Sequence, residues 1–334
     1  MSYKIAIYFI SLLVTVAYLV AQTDNSEGEK EWYELCGKTI KTVEGLKIHN
    51  SKLPLPRTQV KEIGLKLRVL TYNIHNFRGY PEDLGTEKWN AMLPGKRDSR
   101  EKLDLQLGAL GMLDAHIASL QECFHDKQLQ LQLIDQLGYK ASFFPASYHR
   151  HCAGATLSRY PLIDSVNLTF MELYGVKASL NKSEFLAPMK RFLGRSLVRL
   201  PGGQEILVYG GHYEPASENE LALVKQIYQI DRALQRPMIW MGDWNIERSH
   251  PLYSWFKKIG LVDGFMYLNL PHTTTSLKGD RSRGGIDYIF CTPDIANRLE
   301  SIEVVSRGPV TLDPNDQDSV ASSDHLPVLA VFRF

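Results

Sequence analysis

The sequence predicts an α/β fold, and two observations carry that expectation. Apolar runs of strand length alternate with helical patterns, and each run ends on a polar side chain capable of chemistry. Composition agrees: 44% of the 334 residues are apolar and 38 Lys and Arg face 37 Asp and Glu, which excludes collagen-like, coiled-coil and wholly disordered chains. Residues 1–21 hold one charge, Lys4, so the remainder carries 37 basic and 37 acidic side chains. No strongly electrostatic partner is implied.

The chain begins with Lys4, a charge-free apolar stretch Ile5–Val20, the small residue Ala21 and a polar run to Lys30. That order is expected of a secretory signal peptide at 1–21, giving a secreted or extracytoplasmic protein that starts near Gln22. The stretch has 16 residues, fewer than the roughly 20 that span a bilayer, with an uncleaved membrane anchor as the alternative. Residues 22–64 are polar and irregular, closed by Pro54 and Pro56, and read as an N-terminal extension to a domain at 65–334. Export makes Cys36, Cys123, Cys152 and Cys291 candidates for two disulfide bonds, with three connectivities. Cys123 and Cys291 have a second reading as buried free thiols, because both lie in apolar segments. No CxxC spacing occurs, so a zinc site is not expected. Asn167-Leu-Thr169 and Asn181-Lys-Ser183 are glycosylation sequons.

From Leu65 onward strands are expected where apolar residues alternate or cluster: Leu65–Tyr72, His116–Leu120, Ile206–Tyr209, Met238–Met241, Ile286–Phe290 and Val328–Phe334. Helices are expected at 99–113, with Leu103, Leu107 and Leu110 on one face, at 127–137, and at 218–235. The last opens on Ser217-Glu-Asn-Glu220, a capping box. No internal repeat is visible at the level of residues.

What stands at the strand ends carries the functional reading. The first run ends on Asn73, the second on Glu122, the third on His212, and the fourth on Asp243 and Asn245. Asp287 opens the fifth, and Asp324 and His325 precede the last. Any one of these is most simply a turn, cap or core residue. Six such positions suggest one shared crevice, and Gly210, Gly211, Gly242, Gly284 and Gly285 are expected to let a ligand approach the backbone there.

The ordered motifs Thr71-Tyr-Asn73, Gln121-Glu122, Gly211-His212, Gly242-Asp-Trp-Asn245, Ile286-Asp-Tyr288 and Ser323-Asp-His-x-Pro327 resemble those of the endonuclease/exonuclease/phosphatase superfamily. That group includes deoxyribonuclease I, abasic-site endonucleases, inositol polyphosphate phosphatases and neutral sphingomyelinases. The resemblance covers about residue 66 to the end. It implies a four-layer sandwich of two mixed β-sheets flanked by helices, with a phosphoester-hydrolysing site at one edge. It further implies that Glu122 is the principal metal ligand, with Asn73 and Asp324 on or close to the metal. Oxygen-rich donors suit Mg²⁺, with Mn²⁺ as a substitute. By the same resemblance Asp243 positions or deprotonates the attacking water and Asn245 contacts the phosphate. His325 is the catalytic histidine, oriented by Asp287, and His212 donates a proton or binds a phosphate oxygen.

The motifs specify phosphoester hydrolysis rather than a molecule. A nuclease-type phosphodiesterase is the leading reading. A lipid or small-molecule phosphoesterase, sphingomyelinase-like or inositol-phosphate-like, and a catalytically silent binding protein of the same fold are the alternatives. Local positive charge at the cleft is expected from Arg191, Arg195, Arg281 and Arg283, and further lining from His75 and from His272 with Thr273–Thr275. Tyr148, His149 and Arg150 are weaker phosphate contacts. Residues 170–193 form an apolar excursion, read either as a packed lid or as a membrane-facing loop. No protein partner is called for beyond the phosphoester substrate, whether nucleic acid, phospholipid or small phosphate ester, and a monomer is expected.

Overall fold

Strand β1 (Lys66–Asn73) sets the pattern for the molecule. Its odd positions Leu67 and Val69 join one apolar cluster and its even positions Leu70 and Tyr72 another, as the two-residue period of a strand requires. The computed structural model describes residues 64–77, 99–123, 134–145, 147, 153–168, 191–214, 224, 228, 236–277, 284–311 and 321–334. The signal-peptide stretch, the N-terminal extension, the capping box, Cys36, Cys152, the 148–150 cluster and most of the 170–193 excursion lie outside them. Among the described residues no helix is long and apolar enough to cross a membrane.

Two six-stranded sheets make up the body. The first runs β11 (Leu299–Val304), β12 (Val328–Arg333), β1, β2 (Ile117–Gln121), β4 (Gly154–Ser158) and β3 (Ala141–Phe143). The second runs β9 (Val262–Asp263), β10 (Asp287–Cys291), β8 (Met238–Asp243), β7 (Glu205–His212), β6 (Phe192–Arg199) and β5 (Leu162–Asn167). Written in that order, both sheets show the same pairings: antiparallel, antiparallel, parallel, antiparallel, antiparallel. The parallel pairs are β1 with β2 and β8 with β7. The topology therefore repeats although the residues do not.

Three apolar layers result. Leu67, Val69, Ile117, Val208, Ile239, Ile289, Val328 and Ala330 fill the space between the sheets. Helix α1 (Ser99–Leu113) covers the outer face of the first sheet through Leu107, Leu110 and Leu113. Helix α2 (Pro251–Lys258), with the helical residues Val224 and Tyr228, covers the second over Tyr209, Trp240 and Phe290. Short helices α3 (Gly264–Tyr267) and α4 (Pro293–Ala296) close one side. This is the expected four-layer sandwich. All six expected strands form, as does the helix at 99–113, and residues 134–137 of the helix expected at 127–137 are helical.

Three expectations are corrected. Cys123 and Cys291 are unpaired and buried in different apolar layers, so two disulfides do not form. Asn167 is 5% exposed inside β5, where an N-linked sugar has no room. Finally, four of the five glycines beside the site, all but Gly284, admit neighbouring structure rather than a ligand: a Cβ at Gly242 would lie 2.1 Å from the Gly211 carbonyl oxygen, and one at Gly285 would lie 2.1 Å from the His272 ring.

Candidate active site

The site follows from strand polarity. Strands β1, β2, β7 and β8 all end at the same edge of the sandwich, while β10 and the segment before β12 begin there, being antiparallel to β8 and β1. Along each strand the face that supplies the inter-sheet core turns polar at this edge. In β1, Leu67 and Val69 give way to Thr71 and Asn73; in β2, Ile117 gives way to Ser119 and Gln121. In β8, Ile239 and Met241 give way to Asp243; in β10, Asp287 precedes Ile289 and Cys291. The crevice is the polar end of the middle layer.

Asp243 is its hub. Its Oδ2 accepts from Asn73 Nδ2 at 3.1 Å and lies 3.3 Å from His212 Nε2 and 3.8 Å from His325 Nε2. Its Oδ1 accepts the backbone N–H of Asn245 at 3.0 Å. Burial above all, then the charge of Asp287, pushes the Asp243 carboxyl up to about 7. His325 Nδ1 meets Asp287 Oδ2 at 3.0 Å. Burial alone would lower this imidazole, but Asp287, Asp243 and Asp324 outweigh it and carry it up to about 10, so it is a cation at neutral pH. His212 goes the other way: burial, then Arg191 and His325, hold it well below the ordinary histidine range and neutral.

Glu122 occupies the other side. Its Oε1 accepts from Asn73 Nδ2 at 3.2 Å and its Oε2 from Asn76 Nδ2 at 3.3 Å. The Asn73 amide is oriented without ambiguity, because its Oδ1 accepts the backbone N–H of His75 at 3.0 Å and a backbone N–H only donates. Asn73 thus turns its N–H groups on Glu122 and Asp243 together. Ser323 Oγ donates to the Asn73 carbonyl at 2.6 Å and lies 3.3 Å from Asp324 Oδ1. Asp324 in turn stands 3.5 Å from His75 Nδ1. The backbone is strained here, with positive φ at His75 (48°), Asn76 (50°), Glu122 (49°) and Asn245 (48°). Such conformations in non-glycine residues concentrate at functional sites.

All eight expected residues therefore converge on one edge. Sequence reasoning passed over Asn76, which holds Glu122, and gave no role to Ser323, a motif residue that ties the last segment to β1; neither role follows from periodicity. Arg191 reaches the site, contacting His212 Nε2 and pairing with Glu214 at 3.2 Å. Arg195 does not: it is buried and stands 3.6 Å from Asp164. Arg281 and Arg283 lie outside the described residues.

The donor set fits a hard cation. Glu122, Asp243, Asp287 and Asp324 stand at this edge, and among the described residues Asp287 Oδ1 is buried with no hydrogen-bond partner. Ligand atoms of Asp243, Asp287 and His325 lie within 4.8 Å of one another. An ion among those three would compete with the His325–Asp287 hydrogen bond, whereas one at Glu122 leaves it intact.

The chain belongs to the Endonuclease/Exonuclease/phosphatase family, whose model matches residues 70–325. Members of this family are metal-dependent phosphoester hydrolases, and the chain is such an enzyme. Among solved structures, an endonuclease/exonuclease/phosphatase family protein from Bacteroides thetaiotaomicron is similar, at 18% identity and a TM-score of 0.58 over 81% of this chain and 99% of that one. A mannosyl-6-phosphatase from the same organism is 18% identical, with a TM-score of 0.57 over 80% and 100%. An AP endonuclease from Archaeoglobus fulgidus is 17% identical, with a TM-score of 0.50 over 80% and 99%. At these identities the likeness is one of fold. A search of curated proteins finds no significant match.

Proposed function

We propose that the chain is an exported, Mg²⁺-dependent phosphodiesterase of nuclease type. The observation that carries this reading is the environment of Asp243, a buried carboxylate ringed by Asn73, His212 and His325 beside a second carboxylate, Glu122, that is held by two amides. A group brought near neutrality is matched to taking a proton from water at neutral pH. Glu122 and Asp324, with Asn73 alongside, would hold Mg²⁺, or Mn²⁺ in its place, which would supply charge neutralisation at a phosphate oxygen. Asp243 positions and deprotonates the attacking water. The charged His325 ring, fixed by Asp287, and the Asn245 amide, whose Nδ2 also donates to the Tyr213 carbonyl at 3.2 Å, stabilise negative charge on the phosphoryl oxygens. The neutral, fully buried His212 ring lies between Asp243 and Arg191 and accepts from the Arg191 guanidinium at Nε2, holding that charge beside the phosphate site.

Charge favours a diester. Among the described residues the positive charge at the site belongs to His325 and Arg191, and Arg191 is shared with Glu214. Against four carboxylates, one divalent ion brings the site close to neutrality without a positive surplus, which suits a singly charged diester better than a doubly charged monoester. Export rests on the order of charge, apolar stretch and small residue in 1–21.

Two measurements test this. Mass spectrometry of the secreted chain should find a start near Gln22, and full-length product retained in membranes would overturn export. The purified chain with Mg²⁺ should hydrolyse plasmid DNA, RNA or a generic bis-ester faster than sphingomyelin or a sugar monophosphate. Monoester turnover without diester turnover would replace the reading with a small-molecule phosphatase, and no turnover of any kind with a silent binder.

A further inference from the structure

His325 and Asp287 belong to different sheets, since His325 leads into β12 and Asp287 opens β10. No backbone ladder sets their separation. What connects the two segments is the irregular stretch 272–277, and its centre is Thr275, which is fully buried. The Thr275 hydroxyl accepts the backbone N–H of Ile286 at 3.0 Å and that of Asp287 at 3.2 Å. Its carbonyl oxygen accepts the N–H of Leu326, next to His325, at 2.6 Å. Just after it Ser276 bridges to His325, and the Leu277 N–H donates to the Asp324 carbonyl at 2.7 Å. The other end of the stretch is anchored by His272, stacked on Phe265 with ring centroids 4.3 Å apart and set edge-on to Tyr288 at 4.5 Å.

We propose that Thr275 is the positioning residue that sets the His325–Asp287 pair in register across the gap between the sheets. One side chain and its own carbonyl grip the backbone of both partners, so the distance between imidazole and carboxylate is fixed by the internal geometry of a single residue. The hydroxyl is the essential part: two successive backbone N–H groups, one on Asp287 itself, converge on it. A β-branched residue of equal size without that oxygen takes the acceptor from both donors, the Asp287 N–H being buried, and the strand end relaxes away from the ring. The inference rests on the proposed hydrolytic role of the pair, yet its geometry can be tested apart from turnover.

The test compares Thr275→Val with Thr275→Ser, measuring kcat and KM in the Mg²⁺-loaded full chain and the downfield Nδ1–H proton resonance of His325 in histidine-labelled protein. Thr275→Val is expected to lower kcat by about 10²-fold with KM little changed, as for a reacting group displaced by roughly an ångström, and to shift or broaden that resonance. Thr275→Ser is expected to restore both. If Thr275→Val does not fold, Thr275→Ala serves in its place. A resonance and kcat unchanged in the hydroxyl-free variant, or a Ser variant as impaired as Val, would overturn the proposal. Should no phosphoester be turned over, the resonance alone decides the positioning role, and the failure is that of the hydrolase reading.

Discussion

Asn73 and Asp243 face each other across the two sheets as counterparts, Asn73 Nδ2 lying 3.1 Å from Asp243 Oδ2. Each ends a central strand with a parallel neighbour, and each accepts, through its Oδ1, the backbone N–H of the residue two further on, at 3.0 Å in both cases. Those residues, His75 and Asn245, share a φ of 48°. The repeated topology thus brings two equivalent strand ends together, and sequence has made one an amide and the other a carboxylate.

That asymmetry predicts the effect of removing it. Asn73→Asp places a third carboxylate against Asp243 and Glu122 with its donor lost. It should destabilise the metal-free protein by about 3 kcal/mol, and Mg²⁺ should recover part of the loss. Thermal unfolding with and without Mg²⁺ checks this; an unchanged melting temperature would show that the amide donor has no role.

Glu122→Gln keeps the shape of the side chain but removes charge where two amides converge. Activity should fall by at least about 10²-fold while the fold persists, and Mg²⁺ should no longer raise the melting temperature. Full activity in this variant, or of the native protein in excess EDTA, would remove the metal from the account.

Burial foremost depresses His272 from 6.5 to about 4. Its folded pKa lies below its unfolded one, so between these values the unfolded chain binds the extra proton and stability falls as pH falls. The contribution is about 3 kcal/mol across roughly pH 6.5 to 4. His272→Phe, which preserves the stack on Phe265, should flatten unfolding free energy against pH in that window; an unchanged profile would place the acid sensitivity elsewhere.

Cys123 and Cys291 are buried, and burial raises both thiols above the ordinary range, Cys123 to about 12. Neither should react with a thiol reagent in the native protein, and both should label after denaturation without reductant. Rapid labelling in the folded state, or protection that only reduction relieves, would contradict this.

Much of this was legible in the sequence for one reason: the inter-sheet face of each central strand reads apolar and then polar, so Val69-x-Thr71-x-Asn73 reports both the strand and the edge where the site lies. Strands β6 and β11 escaped. Strand β6 carries buried Arg195 on one face and Gly194 on the other, where a Cβ would lie 2.9 Å from Pro145, so packing breaks the apolar alternation. Strand β11 is an edge strand with exposed Glu300, Ser301 and Glu303 and an irregular register near Leu299. Thr275 carried no sequence signal beyond its company of threonines, because its role lies in backbone partners from two distant segments.

The pairing of His325 with Asp287 is the centre of the account, and a double-mutant cycle on kcat tests it most directly. Both groups act through one hydrogen bond, 3.0 Å long and buried, so the second removal should cost little once the first is made. His325→Ala and Asp287→Ala should each lower kcat steeply, and the folded double variant should match His325→Ala within a few-fold. A double variant whose loss equals the product of the two single losses would contradict the account, showing that the imidazole and the carboxylate serve separate steps.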